Sequence, residues 1–210
     1  NFINKNTFYI PNGFEFIDNK ITFQDRYFEE KIKKKKVISL IARYHSSKGH
    51  MIFFNAALKL LKKHKELIFF IAGKNLSKEK IFINKINEYD LSNHFYILDE
   101  INNVDYYLKL SDILVNCSIS SEGFPNIIGE GIINDCICIS SGIGDSKIIL
   151  NNNKFLFFEN NEEMLQKKII SILELDSNKI LEIKSNTKLF FKSHYSILNT
   201  VNMYNKIYNI

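Results

Sequence analysis

Long apolar runs are missing from this 210-residue chain. Its most continuous ones, such as residues 67–72, fall far below the roughly 20 apolar residues that a membrane-spanning helix takes, so no such span is expected. Cysteine is scarce as well. Cys117, Cys136 and Cys138 are too few for a disulfide framework in a chain this long. Cys136 and Cys138 flank one residue of an apolar run, which puts both on one face of a strand, and no second pair stands at zinc-ligand spacing. Buried, reduced thiols in a cytoplasmic protein are expected. No basic start followed by an apolar stretch opens residues 1–11, so no secretory leader is read there. The first residue is Asn rather than Met, so the chain is expected to be a piece of something longer. The glycines that would precede the lysine of a Walker loop are also lacking. His45, His50, His64, His94 and His194 show no partner pattern for catalysis and read as surface or structural residues.

What is present is an ordinary globular balance, with 45% hydrophobic and 24% charged residues. The length suits one full domain with a small appendage. The net charge of +5 owes much to residues 31–36, where five lysines crowd six positions. Such a run reads as a solvated approach to a strand. Contact with anionic lipid headgroups or polyphosphates is the rival reading. No aromatics interleave and no nucleic-acid motif accompanies the run, so no nucleic-acid partner is expected.

From Val37 onward, short apolar runs alternate with segments of helical period. Residues 37–42, 67–72, 95–98, 113–115 and 136–139 read as strands. Their near-continuous apolarity is what a parallel sheet covered on both faces requires. Between them, residues 51–63 set Ile52, Ala56 and Leu60 on one stripe, and residues 78–89 do the same with Ile81, Ile86 and Tyr89. Residues 103–110 and 126–133 read as shorter helices, and 162–173, 178–190 and 195–208 as consecutive ones. Residues 1–36 read as irregular, with a turn signal at Pro11-Asn12-Gly13. The predicted fold is α/β: a Rossmann-like open parallel sheet with helices on both faces. Ligands of such sheets bind at the carboxyl ends of the strands.

Two such ends carry chemistry. After the strand at 113–115 comes Ser120-Ser121-Glu122-Gly123-Phe124-Pro125-Asn126, leading into a helix. Pro125 suits a first helical turn, and Gly123 permits close backbone approach or an unusual φ. The free N–H groups and dipole of that helix make an anion site suited to a diphosphate. Glu130, about one turn into the helix, can accept hydrogen bonds from vicinal sugar hydroxyls. Taken alone, the same pattern equally describes an ordinary helix start with acids placed for the dipole. After the strand at 37–42 comes Arg43-Tyr44-His45-Ser46-Ser47-Lys48-Gly49, whose two cations can clamp two phosphates.

Together these segments resemble glycosyltransferase family 4, retaining enzymes of GT-B architecture. The resemblance rests on Arg43 with Lys48-Gly49, on Ile71-Ala72-Gly73, and on Glu122-Gly123-Phe124-Pro125 with Glu130. Leu110-Ser111-Asp112, the stretch from Gly144 to Ile149 and the Pro11-Asn12-Gly13 link add to it. It implies that residues 1–36 are an interdomain link with a remnant of an upstream domain. Residues 37–193 would then be the nucleotide-sugar-binding domain, and 194–210 a helix that packs back on an acceptor domain absent here. It also implies that Arg43 and Lys48 neutralise the departing diphosphate, that Glu122 lies by the donor sugar, and that Glu130 holds the ribose. Backbone from Gly123 through Phe124 and Pro125 to Asn126 would hold the sugar and distal phosphate, and backbone near Ile97 and Leu98 would meet the base. No metal and no cofactor are expected, in keeping with the lack of an Asp-x-Asp motif.

The resulting expectation is a cytoplasmic hexosyltransferase, peripheral at the inner membrane. It would use a UDP- or GDP-sugar with retention and a glycan or lipid-linked acceptor. A GT-B sugar-nucleotide epimerase and a non-catalytic nucleotide-binding or membrane-docking module are the alternatives.

Overall fold

The computed structural model describes residues 7–16, 24–76 and 80–208. Strands β1 (Lys36–Ile41), β2 (Leu67–Ala72), β3 (Phe95–Leu98), β4 (Ile113–Asn116) and β5 (Ile137–Ser140) form one sheet in the order β3-β2-β1-β4-β5. Every neighbouring pair is parallel. Alternation within β2 shows why its run is apolar throughout. Leu67, Phe69 and Ile71 enter the larger core on one face, while Ile68, Phe70 and Ala72 enter a smaller one on the other. This is the expected Rossmann-like arrangement.

Helices α2 (His50–Leu60), α3 (Lys80–Glu88), α5 (Asn126–Ile133) and α7 (Glu162–Leu173) feed the larger core through Phe53, Phe82, Ile128 and Leu165. The smaller core takes Phe28 from α1 (Arg26–Ile32) and Tyr106 and Tyr107 from α4 (Val104–Lys109). A short α6 (Ser146–Ile149) follows β5, and α8 (Ser177–Tyr195) and α9 (Ile197–Tyr208) complete the chain. Among the described residues, no helix is long and apolar enough to cross a membrane.

Several expectations shift. Residues 26–32 form α1 rather than irregular chain. Asp25 caps the helix by accepting the Phe28 N–H at 3.0 Å, and the Phe28 ring is fully buried against Phe70, Tyr96 and Tyr107. In α3 the buried residues are Phe82 and Ile86, whereas Ile81 and Tyr89 are exposed. Residues 78 and 79 of that expected helix lie outside the described residues, as do 1–6 and 17–23 of the head. The last strand begins one residue late, at Ile137, leaving Cys136 buried just before it and Cys138 within it. The helix expected over 178–190 extends to Tyr195 and breaks at Ser196, whose extended backbone pairs with Phe14. Pro11-Asn12-Gly13 runs into that pairing without a turn. Gly13 serves close packing instead, since a Cβ there would stand 2.8 Å from the Ile197 Cα.

The lysine run is solvated as expected, with Lys33 to Lys36 exposed, and three of its side chains also reach the fold. Lys31 donates to the Ser92 carbonyl at 2.6 Å, Lys35 to the Lys65 carbonyl at 2.9 Å, and Lys36 to Asp112 at 2.8 Å.

Candidate functional site

The strand order reverses between β1 and β4, and in an open parallel sheet a crevice opens at that reversal. A cleft of about 320 Å³ lies there. The end of β1 with Arg43 and Lys48 forms one side, and Asn116, Cys117 and Ser118 at the end of β4 form another. Glu122 and Phe124 to Ile127, at the start of α5, complete the lining.

The two loops are stitched together. In the first, His45 accepts the Ser47 N–H at 3.2 Å and starts a 3-10 turn, Ser46–Lys48, that presents Lys48. Gly49 then takes a left-handed φ of +66°. No other residue fits, because a Cβ there would stand 2.1 Å from the Cys117 carbonyl oxygen. The Ile119 N–H closes the seam on the Ser47 carbonyl at 2.7 Å. His50, next in line, is buried and bonds the Ala42 carbonyl through Nε2 at 3.1 Å. Burial lowers its pKa to about 4, with the Lys48 charge acting in the same direction and the Ala42 bond opposing. It is therefore neutral at pH 7, a structural histidine at the end of β1.

Across the cleft, Lys48 Nζ lies 2.7 Å from Glu122 Oε2, with only 19% and 10% of the two side chains exposed. The Ser118 hydroxyl donates to the same carboxylate oxygen. Arg43 is different: its exposed guanidinium has no partner among the described residues. Pro125 is the N-cap of α5 rather than its first helical residue, and no side chain caps the helix. The Ile128 N–H turns back to the Pro125 carbonyl at 3.0 Å, while Asn126 and Ile127 at the helix start line the cleft beside two cations, a setting for an anion. Gly123 shows no left-handed φ, and the space above it is open. The strained backbone belongs to Ser121, at φ +56°.

Aromatic packing holds this loop. The Phe124 ring lies 6.1 Å from Phe14 and 5.5 Å from Tyr195. Asn12 donates to the Asn126 side chain at 2.7 Å, and the Asp145 N–H donates to the Gly123 carbonyl at 3.0 Å.

Arg43, Lys48, Glu122, Phe124, Pro125 and Asn126 are thus brought to one cleft, with Gly123 in the same loop. Glu130 sits beyond its lining, half-buried on α5. Its carboxyl is pushed above the usual range by burial and then by the charge of Asp105. Asp105 in turn accepts from Asn134 at 2.7 Å. Ile97 and Leu98, at the end of β3, are not part of the cleft's lining. Ile97 lines a separate hollow with Phe82, and the Leu98 carbonyl accepts the Gly73 N–H at 3.1 Å. Ser118 is a site residue that sequence reasoning misses, since there it looks like one more serine of a serine-rich loop.

The family described as glycosyl transferases group 1 matches residues 22–190. No curated protein sequence matches the chain. A solved glycosyltransferase from Rickettsia africae superposes with a TM-score of 0.71 at 24% identity, covering 89% of this chain and 53% of that one. The C-terminal domain of a glycosyl transferase group 1 protein (LpcC) from Francisella tularensis gives 0.69 at 22% identity, covering 82% and 92%. A TarM variant from S. aureus, in complex with Fondaparinux, alpha-GlcNAc-glycerol and UDP, gives 0.79 at 19% identity, covering 100% and 41%. The chain spans about half the length of the Rickettsia protein. At these identities the likenesses establish the fold, and the family match establishes descent: the chain belongs to the glycosyl transferases group 1 family, with the Rossmann-like fold of GT-B C-terminal domains.

Proposed function

We propose that this chain is the donor-binding domain of a retaining hexosyltransferase, taking a UDP- or GDP-sugar in the cleft between β1 and β4. One observation carries the reading: Arg43, unpaired among the described residues, the Lys48–Glu122 pair and the uncapped start of α5 surround a single cleft at the strand-order reversal. Arg43, Lys48 and the first-turn N–H groups would take the diphosphate. Stabilising its charge as it departs is the contribution expected of such preorganised donors. Glu122 would stand by the sugar and Glu130 by the ribose, with Ile97 and Leu98 toward the base. UDP in the TarM structure supports a nucleoside diphosphate as the first ligand to try.

Retention follows from the resemblance of the two-glutamate segment, and metal independence from two protein cations already at the cleft. The acceptor would be a glycan or a lipid-linked sugar bound by a partner domain, in a cytoplasmic setting at the inner membrane. Cofactors and nucleic-acid partners form no part of the proposal.

A thermal-shift panel of nucleoside diphosphates and nucleotide-sugars, run with and without chelator, tests it. Stabilisation should grow with ligand concentration over Kd. No response to any UDP or GDP species would sink the reading. Loss of the response in chelator would remove metal independence alone. Incubation with donor alone separates an epimerase, which releases an altered nucleotide-sugar without acceptor. Transfer to acceptor by these 210 residues alone should be slight.

A further inference from the structure

We propose that Ser118 is a positioning residue of the donor site, holding the Glu122 carboxylate when Lys48 leaves it for the diphosphate. This rests on the donor reading above. Glu122 Oε2 has two partners in the structure, Lys48 Nζ at 2.7 Å and the Ser118 hydroxyl. Lys48 cannot neutralise a phosphate fully while it neutralises Glu122. On binding, the lysine swings on its four-carbon stem toward the phosphate, and a carboxylate only 10% exposed loses its cation. A buried charge without a hydrogen bond is strongly disfavoured. Ser118 is the donor that stays.

It stays because its main chain is clamped from three directions. The Ser118 carbonyl accepts the Ser141 hydroxyl at 2.6 Å and the Asn160 amide at 3.1 Å. The following N–H, of Ile119, is bound to the Ser47 carbonyl at 2.7 Å. The residue itself is 1% exposed. All three clamps use backbone atoms of residues 118 and 119, so Ser118→Ala deletes the hydroxyl and leaves the clamp intact.

The consequence is a differential effect on the two states. Without donor, the Ser118→Ala variant leaves Glu122 its lysine; with donor, Glu122 is left with nothing. Calorimetric titration of the whole 210-residue chain with UDP reads this directly. Ser118→Ala should weaken UDP at least tenfold, which is about 1.4 kcal/mol, while urea unfolding of the ligand-free protein changes little. In a Glu122→Gln background no carboxylate is stranded, and the same substitution should change the UDP Kd less than about threefold. Equal losses in both backgrounds would assign Ser118 a structural role and overturn the proposal. So would wild-type affinity in Ser118→Ala alone. Failure of the unaltered chain to bind UDP or GDP overturns the donor reading and this inference with it, which sets that outcome apart from the others.

Discussion

The two cations of the cleft should respond oppositely to removal, and the contrast tests the site more sharply than either variant alone. Consider Arg43→Met and Lys48→Met, which delete charge but keep most of the stem. Arg43 is exposed and has no partner among the described residues, so its loss should move folding stability by no more than about 0.5 kcal/mol. Lys48 is 19% exposed and faces a carboxylate that is 10% exposed. Its loss leaves Glu122 with the Ser118 hydroxyl alone, and an under-satisfied buried acceptor costs about 1–3 kcal/mol.

For UDP the order reverses. A hydrogen bond to a charged group contributes about 1.5–3 kcal/mol, so Arg43→Met should weaken UDP by roughly 10- to 150-fold. Lys48 gives up Glu122 in order to bind phosphate, so its net contribution to affinity is smaller, and Lys48→Met should weaken UDP by less than Arg43→Met does. Urea unfolding at neutral pH supplies one axis and UDP calorimetry the other. An Arg43→Met protein with unchanged UDP affinity would refute the placement of the diphosphate. A Lys48→Met protein that loses more affinity than Arg43→Met, without loss of stability, would refute the exchange of partners.

Glu130→Gln should stabilise the fold at neutral pH and weaken nucleotide binding. Its folded-state pKa is raised by burial and by Asp105, so the penalty on the charged form is full above that pKa and fades as pH falls through it. The gain, read by urea unfolding against pH, should therefore vanish in acid; a gain that persists below the ordinary glutamate range would contradict the sign. Phe28→Ala should cost about 3–5 kcal/mol in unfolding free energy, because its ring is wholly buried. A loss under about 1 kcal/mol would mean that α1 is dispensable to the domain. His50, with its pKa lowered to about 4, should make stability fall by roughly 3 kcal/mol between pH 6.5 and 4. His50→Leu should flatten that part of the profile, and an unchanged slope would show that another group drives it.

Legibility follows physical periodicity. The run 67–72 can be read from sequence because both of its faces are buried, and the strand forms with the same bounds. Helix α1 cannot, since Phe28 is its one fully buried side chain in seven residues and leaves no period to see. In α3 the apparent stripe falls on Ile81 and Tyr89, yet the core takes Phe82 four residues before Ile86. Helical spacing allows both choices, and only the sheet beneath decides between them. Arg43, Lys48 and Glu122 are legible because they follow strand ends, where parallel sheets put their ligands. Ser118 is not, because its importance lies in an acceptor shared with Lys48, from a distant part of the chain, which no local pattern encodes. Gly13 misleads for a related reason. Its neighbours in sequence spell a turn, but its neighbours in space are Ile197 and Thr200.

The two glutamates that look alike in sequence end in opposite electrostatic circumstances, and that difference says what kind of ligand suits the site. Glu122 is already satisfied by a lysine and a hydroxyl. Glu130 faces a like charge in Asp105, and its carboxylate has no hydrogen-bond donor among the described residues. On the other side, Lys48 is engaged and Arg43 is not. Arg43 and Glu130 thus both stand without a hydrogen-bonding partner among the described residues, on different elements of the fold. A simple anion would satisfy Arg43 and worsen the position of Glu130; a simple polyol would do the reverse. A ligand that relieves both must carry negative charge at one part and hydroxyl donors at another. A nucleoside diphosphate joins phosphates to a ribose with two such hydroxyls. Inorganic pyrophosphate should accordingly bind more weakly than UDP, and Glu130→Gln should narrow the gap between them.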